Sequence, residues 1–213
     1  MGKVANVIGA SGLVGQQLVA QLVSHPEFEK VRIFVRRKSG LVHAKLDEQV
    51  IDFDQPESWN HLVQGDALFS TLGTTIKTAK TKANQYRVDY TYQFEFAKAA
   101  AGNGVGAFVL VSSMGADPKS LVFYSRMKGE LEEAVSKLNF RQCIIVRPSI
   151  LEGNRQEKRA GERVGLIISR FLTRFILKKY RPTPADVLSA KMISLSLDQT
   201  DGLRMVEGLE IFK

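Results

Sequence analysis

The chain has 213 residues, with 30 Lys and Arg against 22 Asp and Glu, and a net charge of +8. That length suits one domain with a buried core, and a hydrophobic content of 44% excludes a disordered chain. Cys143 is alone, so an internal disulfide is excluded, and no apolar run reaches the ~20 residues that span a bilayer. The basic excess is uneven: residues 1–150 carry a net +4, residues 151–181 a net +6 and residues 182–213 a net −2.

Val4–Ile8 is a short apolar run that ends in Gly9-Ala-Ser-Gly-Leu-Val-Gly15. Leu18, Val19, Leu22 and Val23 then recur at helical spacing, which predicts a strand, a tight glycine turn and a helix. Val31–Val35, Gln49–Phe53 and Asp66–Thr71 read as the next three strands. A long helix is expected from Lys82 to Gly102, with Tyr86, Tyr90, Phe94, Ala97 and Ala101 on one stripe. Ala107–Val111 is a fifth strand, Gly129–Leu138 belongs to a helix beginning near Ser120, and Cys143–Val146 is a sixth strand. Asp186–Leu197 reads as a helix with Val187, Ala190, Ile193 and Leu197 inward, and Leu203–Phe212 as a short last strand. Apolar strands alternating with helices predict an α/β fold: a Rossmann-type doubly wound parallel sheet with a small C-terminal helical extension. The expected organisation is one domain over residues 1–213, with its core in about 1–150 and a substrate-side extension over about 151–213.

Gly9, Gly12 and Gly15 follow a strand and open a helix. A dinucleotide site needs glycine in that setting, at the tight turn, under the pyrophosphate and where helix meets strand. Gly9, Ser11, Gly12, Leu13, Val14 and Gly15 are therefore candidate phosphate contacts, at the positive end of the helix dipole. The second strand is followed by Arg36-Arg37-Lys38, where NAD-binding relatives of this fold carry an acid. Guanidinium forks at Arg36 and Arg37 suit a 2′-phosphate, which favours NADPH (NADP) over NADH. Asp52 and Phe53 are candidates for the adenine border, with Phe53 alternatively a core residue. Thr71, Leu72, Gly73 and Thr74 follow the fourth strand, at the edge where ligands bind.

Tyr124 and Lys128 are four apart, so a phenol and an ammonium share one helix face. A nearby cation favours the phenolate, and Ser113, at a strand end, can hydrogen-bond a substrate oxygen. This set suits carbonyl–alcohol interconversion beside a hydride carrier.

With these motifs, the chain resembles an atypical short-chain dehydrogenase/reductase, more narrowly the Tat-interacting-protein-like oxidoreductase group. The resemblance rests on Gly9–Gly15, Arg36–Lys38, Leu72–Thr75, Arg87-Val-Asp89, Val111–Ser113, Tyr124 with Lys128–Glu130, Val146–Pro148 and Asn154–Glu157. It implies Tyr124 as proton donor, Lys128 on the nicotinamide ribose, and Ser113 orienting the substrate, with Ser112 as the alternative. It also places Pro148 and Ile150 beside the nicotinamide. Ser149 stands where many relatives have glycine. The implied function is NADPH-dependent reduction of a small-molecule carbonyl substrate; the alternative is a non-catalytic NADPH-binding sensor or regulatory interaction module.

Over residues 163–181, apolar positions at helical spacing and a stripe of Arg163, Arg170 and Arg174 predict a helix with solvated arginines. A membrane-surface role for this helix is the less favoured reading. Nucleic acid is not an expected partner, because no recognition motif accompanies the charge. The three histidines lack metal-ligand spacing, so no metal site is expected. A cytoplasmic monomer or homodimer is the expected state.

Overall fold

The computed structural model describes residues 2–152, 181–198 and 200–213. The 154–157 segment and the expected basic helix, apart from Arg181, lie outside the described residues. Seven strands form the main sheet: β1 (Lys3–Ile8), β2 (Phe28–Val35), β3 (Leu46–Val50), β4 (Ala67–Ser70), β5 (Ala107–Val111), β6 (Gln142–Arg147) and β9 (Gly202–Glu207). A separate ribbon pairs β7 (Leu151–Glu152) with β8 (Thr183–Pro184). The sheet order is β3-β2-β1-β4-β5-β6-β9, parallel at every pairing. Strand order therefore reverses between β1 and β4, and their carboxyl ends open a crevice between diverging connections.

The helices are α1 (Leu13–Ser24), α2 (Pro56–Trp59), α3 (Ile76–Ala79), α4 (Lys82–Tyr86), α5 (Tyr92–Gly102), α6 (Phe123–Ser136) and α7 (Ala185–Leu197). Helices α1 and α7 cover one face of the sheet, α1 over β1 and β2 and α7 over β5 and β6, and Leu18, Leu22, Leu188 and Met192 share one buried cluster with Val7, Ile33, Val109 and Ile144. Helices α5 and α6 cover the other, where Trp59, Phe96 and Leu131 pack on Phe34, Leu68 and Phe108. The Trp59 and Phe96 rings stack at 3.9 Å. Burial on both faces explains why β4 and β5 are apolar at nearly every position.

The differences from the sequence reading have local causes. Strand β3 lies three residues earlier than expected, because an edge strand with half-buried residues carries little apolar signal. Phe53 lies beyond it, packed in the core against Tyr92 and Phe96. The Lys82–Gly102 helix is interrupted by a π-turn at Arg87–Thr91, where the Tyr92 N–H reaches back to the Arg87 carbonyl. Its fully buried side includes Gln85, Asp89 and Gln93, while Tyr86, Tyr90 and Phe94 are half-buried and stacked on one another. Helix α6 begins at Phe123, after a turn held by the Val122 N–H donating to Ser120 Oγ at 3.1 Å. Helix α7 turns Leu188, Ser189 and Met192 inward and leaves Ala190 exposed; Ser189 Oγ, 2.8 Å from the Ala185 carbonyl, also lies 3.2 Å from the Val14 carbonyl of α1. Strand β9 ends at Glu207, and Gly208–Phe212 is a 3-10 turn.

Two glycines fix the junction of β1 with α1. Gly9 has φ +84°, and a Cβ there would stand 2.6 Å from the Thr71 and Leu72 backbone. A Cβ on Gly15 would stand 2.1 Å from the Gly9 carbonyl oxygen, so helix and turn approach to backbone contact. Gly15→Ala is expected to cost about 1–3 kcal/mol by forcing these backbones apart. Urea unfolding should show the loss as a lowered midpoint, and an unchanged midpoint would contradict this packing.

Candidate cofactor and active site

A cavity of about 820 Å³ opens at the carboxyl ends of β1, β4 and β5. One wall is the β1–α1 turn, with Ser11, Gly12, Leu13 and Val14. A second is the loop Thr71–Thr75 after β4. A third comes from α6, with Phe123, Tyr124 and Lys128. Helix α1 follows Gly12, its N-cap residue, with no side-chain cap and no acid in its first turn. The Gln16 N–H is bonded back to the Gly12 carbonyl at 2.9 Å, which leaves the amides before it without helical partners. A glycine-lined turn with uncapped amides and positive dipole fits an anionic pyrophosphate.

The opposite wall carries groups suited to proton transfer. Lys128 is buried, yet its Nζ reaches the cavity 6.0 Å from the Tyr124 ring centroid. Tyr124 is 39% exposed and also lines the cavity. Lys128 Nζ stands 3.3 Å from Asp89 Oδ1, an ion pair in which both side chains are almost fully buried. Asp89 Oδ2 accepts the Thr74 N–H at 2.8 Å, which ties the carboxylate to the loop after β4. Burial pushes the Asp89 carboxyl above its usual range, against the opposing pull of Lys128 and the Thr74 N–H.

The fold thus brings Ser11, Gly12, Leu13, Val14, Thr71, Leu72, Gly73, Thr74, Tyr124 and Lys128 to one cavity, with Gly9 and Gly15 shaping its floor. The two serines after β5 differ. Ser112 lines the cavity, but its hydroxyl donates to the Glu132 carboxylate, which Arg147 also holds. Ser113 lies outside the lining, and its hydroxyl donates to the Met114 carbonyl at 3.3 Å. Arg36 and Arg37 are exposed just beyond β2 and do not line the cavity. Their loop is tethered by Glu48 on β3, which accepts the Ser39 hydroxyl and, at 2.9 Å, the Ser39 N–H; these two bonds hold the Glu48 carboxyl below its usual range. Asp52 is exposed and folded into its own turn, accepting from the Asp54 N–H and Gln55 Nε2 at 3.0 Å each. Pro148 is buried and Ile150 exposed; neither lines the cavity, whereas the adjacent Leu151 does.

Asp89, visible in the sequence only as part of Arg87-Val-Asp89, contacts Lys128, and Glu48 tethers the Arg36–Lys38 loop; neither contact is encoded by spacing. Asp89 sits where helical periodicity marks the polar side, and Glu48 sits on a strand whose register the sequence misplaces.

A family model described as NAD(P)H-binding matches residues 9–165. A protein from Candida glabrata, "Protein FMP52, mitochondrial", is 41% identical over 160 residues, covering 74% of this chain and 67% of that protein. The protein of the same name from Emericella nidulans is 34% identical over 211 residues, covering 93% of this chain and 90% of that one. Among solved structures, the Bordetella bronchiseptica enzyme WbmH in complex with NAD+ superposes with a TM-score of 0.74 at 14% identity, over 97% of this chain and 76% of that one. A short-chain dehydrogenase/reductase superfamily protein from Agrobacterium tumefaciens with bound NAD superposes with a TM-score of 0.70 at 18% identity, over 96% and 77%.

The relatives' names overturn the cytoplasmic expectation and point to mitochondria instead. A lone cysteine and the lack of a spanning run constrain redox state and membrane crossing, and neither distinguishes these two compartments. The glycine turn, the seven-stranded parallel sheet and the matches over most of the chain agree: the chain belongs to the NAD(P)H-binding family, and its fold is that of the short-chain dehydrogenase/reductase superfamily protein it superposes on.

Proposed function

We propose that the chain is an NADPH-dependent oxidoreductase that reduces a small carbonyl substrate. The observation that carries this reading is the sharing of one cavity by the uncapped α1 turn and by the Tyr124–Lys128 pair. NADPH, when bound, supplies the hydride. Leu13, Val14 and the Gly9–Gly15 turn would hold its pyrophosphate, and the Thr71–Thr74 loop would border its ribose. Lys128 Nζ donates to the nicotinamide ribose and places positive charge beside the Tyr124 ring. Tyr124 Oη, accessible from the cavity, gives its proton to the substrate oxygen as that oxygen gains negative charge. Ser113 orients that oxygen, with Ser112 as the alternative: Ser112 lines the cavity but its proton is committed to Glu132, whereas Ser113, outside the lining, would have to release the Met114 carbonyl and turn inward.

Preference for the 2′-phosphate rests on Arg36 and Arg37, which stand exposed at the end of β2. Neither is held by an ion pair among the described residues. Both guanidinium groups are available for charge-assisted bonds to a phosphate.

Tyr124→Phe removes only the hydroxyl, and kcat for carbonyl reduction should fall about 100-fold or more with NADPH affinity nearly unchanged. Steady-state kinetics on a carbonyl panel checks this. No turnover by the unaltered chain, or full turnover by the variant, refutes the assignment. Arg36→Ala combined with Arg37→Ala should weaken NADPH binding by about tenfold or more and leave NADH binding little changed. Calorimetric titration of both nucleotides is the check, and equal losses would remove the basis for NADPH preference.

A further inference from the structure

Helix α6 carries Tyr124 and Lys128, and its first turn breaks a local rule. Its N-cap residue is Val122, which offers the free amides no side-chain bond, where Ser, Thr, Asp or Asn would cap them. Val122 is 63% exposed, and Leu121 before it is 97% exposed. Ile76, the first residue of α3, is 49% exposed. Val122 and Ile76 line the same cavity as Tyr124. The rim beside the tyrosine is therefore apolar at positions where polar residues would serve stability and solubility better. Such a departure, at the mouth of a cavity, points to a ligand that covers it.

The exposure is held in place by the backbone. The Asp117 N–H donates to the Ser125 carbonyl at 3.0 Å, and the Ser120 N–H donates to the Asp117 carbonyl at 3.0 Å. Arg126 Nη1 donates to the Ser120 carbonyl at 2.9 Å. A Cβ on Gly129 would stand 2.2 Å from the Pro118 nitrogen, so this loop lies directly on the α6 backbone. The loop is thus fixed to the helix while it presents Leu121 and Val122 to water. Lys82 Nζ stands 5.6 Å from the Phe123 ring centroid, which brings α4 against the start of α6. Among the described residues, the lining has three charged side chains: Asp89 and Lys128 pair with each other, and Lys82 rests on that ring.

We propose that the carbonyl substrate carries an uncharged apolar chain, which runs outward from the Tyr124 hydroxyl over Phe123, Val122 and Ile76. The inference rests on the oxidoreductase reading for the reaction, but binding of the chain can be measured without turnover. A chain laid on this rim takes its own surface and that of the exposed side chains out of water. Affinity then grows with chain length, by about three- to fourfold for each methylene covered. A serine at position 122 would cap α6 and remove part of the apolar rim, so stability and chain binding should move in opposite directions.

Butanol, hexanol and octanol, the alcohols that reduction of the matching aldehydes yields, serve as probes of the full chain with and without NADPH. Binding is read from the Ile, Leu and Val methyl signals in the NMR spectrum. Dissociation constants should fall about three- to fourfold per methylene, with the largest shifts at Ile76 and Val122. In Val122→Ser, octanol should bind about fivefold or more weakly and butanol nearly as before, while the thermal midpoint rises. Equal affinity across the series, or unaltered octanol binding in Val122→Ser, overturns the proposal. A lowered midpoint in that variant also overturns it, because Val122 would then serve the fold. Hexanoate binding more tightly than hexanol, with the advantage lost in Lys82→Met, overturns it in favour of an anionic substrate. Length-dependent binding without NADPH-dependent turnover of octanal counts against the oxidoreductase reading alone.

Discussion

The backbone contact at Gly9 is the constraint on which the rest of the site depends. Strand β1 ends where the sheet order reverses, and there the turn must pass within contact distance of Thr71 and Leu72 from β4 and of Gly15 from α1. Only glycine meets both demands, through its positive φ at position 9 and its missing Cβ at position 15. This contact sets where α1 starts, and so where its unpaired amides point. It also sets how closely the loop after β4 can approach them. The cavity is the space left between those two backbones and α6.

A second constraint is electrostatic. Lys128 projects from a helix that must bury Met127, Leu131 and Val135 against the sheet, so its ammonium is carried below the surface with them. Such a charge is tolerated only with a partner, and the π-turn supplies one by turning Asp89 inward. Gln93 and Ser70 then satisfy the polar groups that the wide turn leaves at the end of β4. Of the polar residues buried on that side, Asp89 pairs with Lys128, Gln93 with Ser70 and the Asp89 carbonyl, and Gln85 with the Thr74 carbonyl.

These two constraints differ in how visibly they are written in the sequence. Backbone contacts that demand glycine leave glycine at fixed spacing, so Gly9, Gly12 and Gly15 announce the turn, and continuous apolar runs announce β1, β4, β5 and β6. Edge strand β3 does not announce itself: its residues are half-exposed, while the apolar Phe53 that attracts the eye packs from a following turn. The Lys82–Gly102 helix misleads for a different reason. Periodicity picks out Tyr86, Tyr90 and Phe94, but polar groups that satisfy one another can be buried as deeply as apolar ones, and Gln85, Asp89 and Gln93 face the core. Helix α7 is apolar around most of its surface, so periodicity alone cannot say that Leu188 and Met192 rather than Ala190 meet the sheet. The Tyr124–Lys128 spacing placed both groups on one wall, while the choice between Ser112 and Ser113 turns on hydrogen bonds to Glu132 that no spacing encodes.

The net charge of +8 contributes little to this picture in bulk. Its informative part within the described residues is the exposed Arg36-Arg37-Lys38 run at the end of β2, beside the strand that carries the glycine turn. The central claim is that one nucleotide lies across the carboxyl ends of β1 and β4, between the α1 turn and the Tyr124–Lys128 wall. Amide hydrogen exchange with and without saturating NADPH tests it most directly. Protection should concentrate in residues 9–16, 71–75 and 122–128 and leave the opposite sheet edge unchanged. Protection elsewhere, or none at saturation, would contradict the account.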